Sequence, residues 1–143
     1  MTFCDVDSWN MTLTLDKAPG ILERFRFALQ PNGTGQVLLP DLSIMSALTW
    51  SCESFGTSGA QNEKVLLSFV FRFRRMTQQG SKELGVLMAG FAHHVSGHPK
   101  PEFRGRLRTF AVDNNVPAAG TATLQTLDAD DPGDTGTGTG QQT

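Results

Sequence analysis

The stretch KVLLSFVFRFRR, residues 64–75, decides the fold class because its side chains separate into two alternating rows. Successive side chains of a β-strand point to opposite faces of the sheet. A strand here places Phe69, Phe71 and Phe73 on one face, with Arg72 and Arg74 on the other. The phenylalanines are typical of a buried core and the arginines of an outer surface. The stretch therefore predicts a strand that is buried on one side only.

Two other stretches repeat this arrangement of arginine opposite an apolar side chain. They are RFRF, residues 24–27, and FRGRLRTF, residues 103–110. The basic residues at the outward positions of residues 24–27, 69–74 and 103–110 are all arginine, and we take them as candidate polyanion-binding residues: Arg24, Arg26, Arg72, Arg74, Arg104, Arg106 and Arg108.

Alternation of apolar and polar residues continues through most of the chain. Strands are predicted at residues 11–16, 22–30, 36–40, 83–95 and 121–127 and in the second half of 43–54. Asn32-Gly33 between two apolar runs predicts a hairpin turn. A helix is the alternative for the first half of 43–54 and for 83–95, where Gly85 and Gly90 disfavour it.

These elements predict an all-β protein with a single-domain antiparallel β-sandwich of about eight strands, similar to a jelly roll. We expect the sandwich domain to span residues 1–127. Residues 128–143, DADDPGDTGTGTGQQT, are acidic, rich in glycine and threonine, and of low complexity. They predict a flexible tail, or an arm that docks on a partner.

The net charge of −2 conceals an uneven distribution along the chain of 143 residues. Residues 22–109 contain eleven lysines and arginines against six acids, whereas residues 110–143 contain five aspartates and no base. A basic body with an acidic end favours a polyanionic partner. That partner is RNA or DNA phosphate, an acidic segment of a neighbouring subunit, or the aspartates of the chain's own tail, Asp128, Asp130, Asp131 and Asp134.

Arginine suits such a partner because its planar guanidinium binds phosphate or carboxylate through two parallel hydrogen bonds. The aromatic rings lie on the opposite face, so bases have no rings to stack on beside the arginines. Contacts with nucleic acid would therefore be to the backbone, independent of sequence and sensitive to salt. The alternative is that the arginines only make a strand face soluble.

Other chemistry has weak support in the sequence. His93, His94 and His98 lie close together, but neighbouring strand positions face opposite sides, and no recognisable fourth metal ligand follows. No nucleophile, phosphate-loop or metalloprotease motif occurs. We therefore predict no catalytic residue, no metal, no cofactor and no small-molecule substrate.

Two cysteines, Cys4 and Cys52, favour reduced thiols in a reducing compartment, and whether they pair stays open. The first ten residues lack the features of a signal peptide, and no apolar run reaches the length of a membrane span. We expect a protein that is made in the cytosol and has no membrane partner. If it is a coat or decoration protein, we expect to find it in a virion.

The function that joins these features is a non-enzymatic structural subunit that self-assembles as a homo-oligomer or shell. The combination is analogous, at the level of the fold, to small jelly-roll coat proteins. A viral or phage coat or decoration protein would direct its arginines to nucleic acid or to neighbouring subunits. The alternative is a small β-sandwich binding module for a protein or glycan.

Overall fold

The computed structural model describes residues 8–55, 64–77, 80–93, 100–111 and 134–143. Within these ranges the chain forms eight strands: β1 (Ser8–Leu15), β2 (Ala18–Leu29), β3 (Thr34–Leu38), β4 (Ile44–Phe55), β5 (Lys64–Thr77), β6 (Gly80–His93), β7 (Glu102–Ala111) and β8 (Thr135–Gln142). The described residues contain no helix that is long and apolar enough to cross a membrane.

The strands form one closed antiparallel barrel in which each strand pairs with its neighbours in sequence. β8 closes the barrel because it pairs with both β7 and β1. The all-β antiparallel prediction is confirmed. The sandwich or jelly roll is corrected to a barrel, since the first and last strands share a hydrogen-bonded ladder and leave one continuous sheet.

The C-terminal residues form part of the barrel wall. Thr135–Gln142 is strand β8, so the prediction of a flexible tail is wrong for these residues. The backbone N–H of Thr143 also donates to the carbonyl of Ser8 at 3.0 Å, which ties the chain's last residue to β1. The predicted domain boundary, the predicted strand at 121–127, and Asp128, Asp130 and Asp131 lie outside the described residues.

Most local predictions from alternation agree with the structure. The Asn32-Gly33 turn joins β2 to β3, and Gly33 has a φ of 82°, which glycine adopts at little cost. Of the ambiguous residues 43–54, all but Ser43 belong to β4, and residues 83–93 belong to β6, so both helical alternatives are excluded. Both strands have partners on each side, and this ladder stabilises the extended backbone.

The barrel interior is filled by aromatic and aliphatic side chains. The Trp9 and Phe103 rings meet edge to face at 6.4 Å between centroids, and Phe103 contacts Phe69 at 5.6 Å. Phe69 then contacts Phe27 at 5.0 Å, and Phe27 contacts Phe71 at 5.0 Å. All five rings are buried, and they form one connected chain across the interior. The predicted core row Phe69, Phe71 and Phe73 is confirmed.

A line of inward glycines makes room for this core. Gly90, Gly105 and Gly138 are register partners across β6, β7 and β8. A Cβ on Gly105 would lie closer than 3.0 Å to the Phe103 ring, and one on Gly138 would lie equally close to Met88 Sδ. The glycines therefore let large side chains fill the barrel without pushing its wall outward.

Cys52 lies at the end of β4 and packs against the core. It is disulfide-bonded, so the prediction of a reduced thiol is wrong for this residue. Cys4 is the chain's other cysteine and lies outside the described residues. The argument for a reducing compartment that rested on free thiols therefore no longer holds.

We expect Gly90→Ala to lower the free energy of unfolding by about 3 kcal/mol, because overpacking here meets backbone atoms that cannot rotate away. The new Cβ would lie closer than 3.0 Å to the Arg104 carbonyl oxygen and the Gly105 Cα. Urea denaturation followed by circular dichroism measures the change.

Gly20→Ala is the matched control, since a Cβ there meets nothing within 4 Å. Its free energy of unfolding should stay within about 0.5 kcal/mol of the unsubstituted protein. Equal midpoints for the two variants would contradict the close approach of β6 and β7.

Candidate polyanion interface

A small internal space lies within the described part of the barrel. It lies at the end of the barrel between Leu15, Phe73 and Thr109, and its volume is about 10 Å³. That is close to the least volume that one water molecule needs. This space is too small for a ligand, and the charged and hydroxyl side chains described next lie on the outer wall.

The outer wall of β7, β8, β1 and β2 combines arginines with hydroxyl side chains. We call this surface the cationic face and define it by its outward residues on the four strands: Arg104, Arg106, Arg108, Thr135, Thr137, Thr139, Asn10, Thr12, Thr14, Arg24 and Arg26. They point outward because the alternate positions of the same strands carry the buried core.

The register of the barrel places arginines on both sides of a threonine belt. One line of paired residues crosses the four strands. Arg104 on β7 pairs with Thr139 on β8, Thr139 pairs with Thr12 on β1, and Thr12 pairs with Arg24 on β2. The two outer Cα atoms are three strand spacings apart, about 14 Å. The guanidinium groups therefore flank a strip of hydroxyls that can donate or accept hydrogen bonds.

Arginines outnumber acidic residues at the outward positions of the described strands β7, β8, β1 and β2. Glu102 is the one acidic residue at the outward positions of these four strands, against five arginines, so the formal charge of those positions is +4. Asp16, which follows β1, accepts a hydrogen bond from Thr135 Oγ1 at 2.5 Å. One guanidinium is held in place, since Arg26 Nη2 donates to Ser8 Oγ at 3.3 Å. A surface with this excess of fixed positive charge attracts anions.

Arg24 and Arg26 also line a groove of about 300 Å³ beside the β3–β4 loop. Polar Asn10 and Thr12 also line it, together with the apolar residues Met11, Phe25, Leu39, Pro40 and Leu42. Both guanidiniums therefore lie beside polar and apolar side chains.

The loop that walls this groove is held by Asp41. Ser43 Oγ donates to Asp41 Oδ1 at 2.6 Å, and the Ser43 backbone N–H donates to the same atom at 2.9 Å. These two hydrogen bonds, the side-chain one first, lower the pKa of the Asp41 carboxyl from its ordinary value of 3.8. Leu42 follows with a φ of 69°, an unusual conformation for a residue other than glycine.

Arg72 and Arg74 are not part of the cationic face. They lie on β5, with β6 between them and β7, and both are exposed. Arg72 Nη1 lies 3.6 Å from Glu83 Oε1, so this guanidinium has an acidic neighbour that the sequence analysis did not pair with it. The outward orientation of all seven arginines is confirmed, while their role in binding a polyanion stays a prediction.

The threonines of β8 were missed by the sequence analysis. The repeat TGTGTG, residues 135–140, alternates with the period of a strand, and this signal was present in the sequence. The repeat predicts a low-complexity segment rather than a strand, because alternating glycine and threonine place no apolar side chains on either face.

The histidine cluster yields no site in the described structure. His93 ends β6, and His94 and His98 lie outside the described residues. In the ranges that the structure covers, no group of three or more histidine, cysteine or acidic side chains is placed to hold a metal ion.

Comparison of the chain with protein-family models, with curated proteins and with solved structures found no match. Functional inference for this protein therefore rests on its own residues and geometry.

We expect Ser43→Ala to raise the pKa of Asp41 towards 3.8, because the larger of the two hydrogen bonds to the carboxylate is removed. In the unsubstituted protein, the stabilisation that these bonds give is complete above the ordinary pKa and is lost as the pH falls through the lowered one. An NMR titration of the Asp41 side chain measures both values.

Ser51→Ala is the matched control for this titration. Ser51 Oγ hydrogen-bonds with Ser68 Oγ on another part of the wall, so its loss should leave the pKa of Asp41 unchanged. An unaltered pKa in Ser43→Ala would show that Ser43 does not hold the loop.

Proposed function

We propose that this protein is a non-enzymatic β-barrel that binds the phosphate backbone of nucleic acid through its cationic face. The observation that carries the proposal is the line Arg104, Thr139, Thr12, Arg24, in which two guanidiniums flank two hydroxyls. Arginine and threonine are common partners of phosphate oxygens in protein–nucleic acid complexes.

The composition of the face favours contact with the backbone over recognition of bases. The outward positions of β8 and β1 carry hydroxyl and amide side chains and no aromatic ring. On β7, the Phe110 ring is half-buried and is covered by Arg108, whose Cζ lies 5.8 Å from the ring centroid. Stacking of bases would need exposed rings among the basic residues. We therefore expect binding that depends strongly on salt and weakly on sequence.

A self-assembling coat or decoration subunit of a virion is the more specific form of this proposal. It requires polyanion contact and, in addition, association between copies of the chain. The cationic face supports the first requirement only. A small binding module for a protein or glycan partner is the alternative, and it requires neither salt-dependent binding nor self-association.

The test compares two double variants that each remove two positive charges. Binding of a fluorescent 30-nucleotide single-stranded DNA is followed by anisotropy. We expect R24Q/R104Q to raise the Kd about tenfold, and to reduce the slope of log K against log salt by about 1.4, or 0.7 for each lost phosphate contact.

R72Q/R74Q is the matched control, because it changes the net charge equally on a different part of the wall. Its Kd should change less than about twofold, since non-specific attraction alone is screened beyond a Debye length. An equal loss in both variants would assign binding to overall charge. No binding by the unsubstituted protein at low salt would refute the proposal.

A further inference from the structure

Strand β6 is apolar on both of its faces. Leu84, Val86, Met88 and Ala92 point into the core. The outward positions between them are Gly85, Leu87, Ala89 and Phe91, so residues 85–92, GVLMAGFA, include no charged or hydrogen-bonding side chain. An antiparallel strand with one face in water normally alternates apolar and polar residues. The sequence of β6 is instead typical of a strand covered on both sides.

The neighbouring strands extend this apolar surface. We call it the uncharged face and define it by outward residues of β4, β5 and β6: Thr49, Ser51, Leu66, Ser68, Val70, Leu87, Ala89 and Phe91. Val70 and Leu87 are register partners and are 50% and 47% exposed, and Phe91 is 40% exposed. Lys64 borders the face, with its Nζ over the Phe91 ring at 4.4 Å from the centroid. Three large apolar side chains are thus grouped on one wall rather than scattered.

The polar groups within the uncharged face are largely satisfied already. Ser51 and Ser68 are register partners, and their hydroxyls hydrogen-bond with each other at 2.5 Å. Covering these hydroxyls costs little, because each keeps a hydrogen-bond partner when water is removed. The face can therefore be buried without leaving this pair unsatisfied.

Opposite charges stand at the two edges of the uncharged face. One line of paired residues crosses four strands. Glu53 on β4 pairs with Leu66 on β5, Leu66 pairs with Phe91 on β6, and Phe91 pairs with Arg104 on β7. The acid and the base of this line are separated by two apolar residues. A second copy of this line, rotated by 180° and laid on the first, would pair Glu53 with Arg104 and Leu66 with Phe91.

From this symmetry we infer that a second copy of the chain packs on the uncharged face about a two-fold axis. The axis runs parallel to the strands between β5 and β6. It places Leu66 of each copy opposite Phe91 of the other, and it brings Glu53 of each copy to the same edge of the contact as Arg104 of the other. Such an isologous contact is the commonest form of homodimer, and face-to-face sheets pack about 10 Å apart.

The contact leaves the threonine belt, Arg24 and Arg26 accessible, whereas Arg104 takes part in it. In the eight-stranded barrel, β5 lies directly opposite β1, so the uncharged face and the threonine belt are on opposite walls. Arg104 on β7 borders both surfaces. The inference does not rest on the proposed function, because a dimer of this form needs no polyanion.

The experiment measures the mass of the purified full chain by sedimentation equilibrium over a concentration series. We expect twice the monomer mass for the unsubstituted protein and a Kd at least about tenfold weaker for Leu87→Glu, because a carboxylate is then buried without a partner. Leu22→Glu is the matched control, since Leu22 is 52% exposed on β2, and it should leave the dimer intact.

A charge exchange tests the two-fold arrangement itself. Glu53→Arg and Arg104→Glu should each weaken the dimer about tenfold, and the double variant E53R/R104E should restore the original Kd to within about threefold. Circular dichroism confirms that each variant is folded.

A monomer in the unsubstituted protein would overturn the inference, and so would a dimer that Leu87→Glu leaves unchanged. Weakening in E53R/R104E equal to the sum of the two single effects would overturn the proposed axis. Loss of the dimer in Leu87→Glu together with restoration in the double variant supports it. Leu87 lies outside the cationic face, so DNA binding by Leu87→Glu separates the two proposals: binding equal to that of the unsubstituted protein supports the cationic face whether or not the dimer forms.

Discussion

The structure depends on the hydrogen-bonded ladders that β8 forms with β1 and β7. They convert an open sheet into a closed one and bring the aromatic chain from Trp9 to Phe71 inside a continuous wall. Glycine usually weakens a strand, because it loses more backbone entropy on folding and has no side chain to pack. In β8 the missing side chains are what allow Met11 and Met88 to occupy the interior beside Gly140 and Gly138.

Alternation along the sequence was sufficient to find the strands and their faces. The row Phe69, Phe71, Phe73 is buried, and Arg72 and Arg74 are exposed on the other side of the same strand. Closure of the sheet into a barrel could not be predicted in the same way. Side chains alternate with the same two-residue period in the strands of a sandwich and of a barrel. β8 was missed because its inward positions are glycines, so its alternation carries no hydrophobic signal.

The candidate site was predictable only in part for a related reason. Sequence alone shows that Arg24 and Arg104 lie on the outer side of their strands. That they lie in one line with Thr12 and Thr139 follows from the register across β7, β8, β1 and β2, which involves residues more than a hundred positions apart. The pairing of Arg72 with Glu83 depends likewise on the β5–β6 register.

The placement of the closing strand also constrains how the chain can fold during translation. β1 is made first, yet one of its two partners is β8, whose residues are synthesised after all the other described strands. Until then β1 and β7 are exposed sheet edges, which can pair with other chains. Contacts between such distant residues also slow folding. A nascent chain of this protein thus passes through a long interval in which a chaperone that shields strand edges would have its greatest effect.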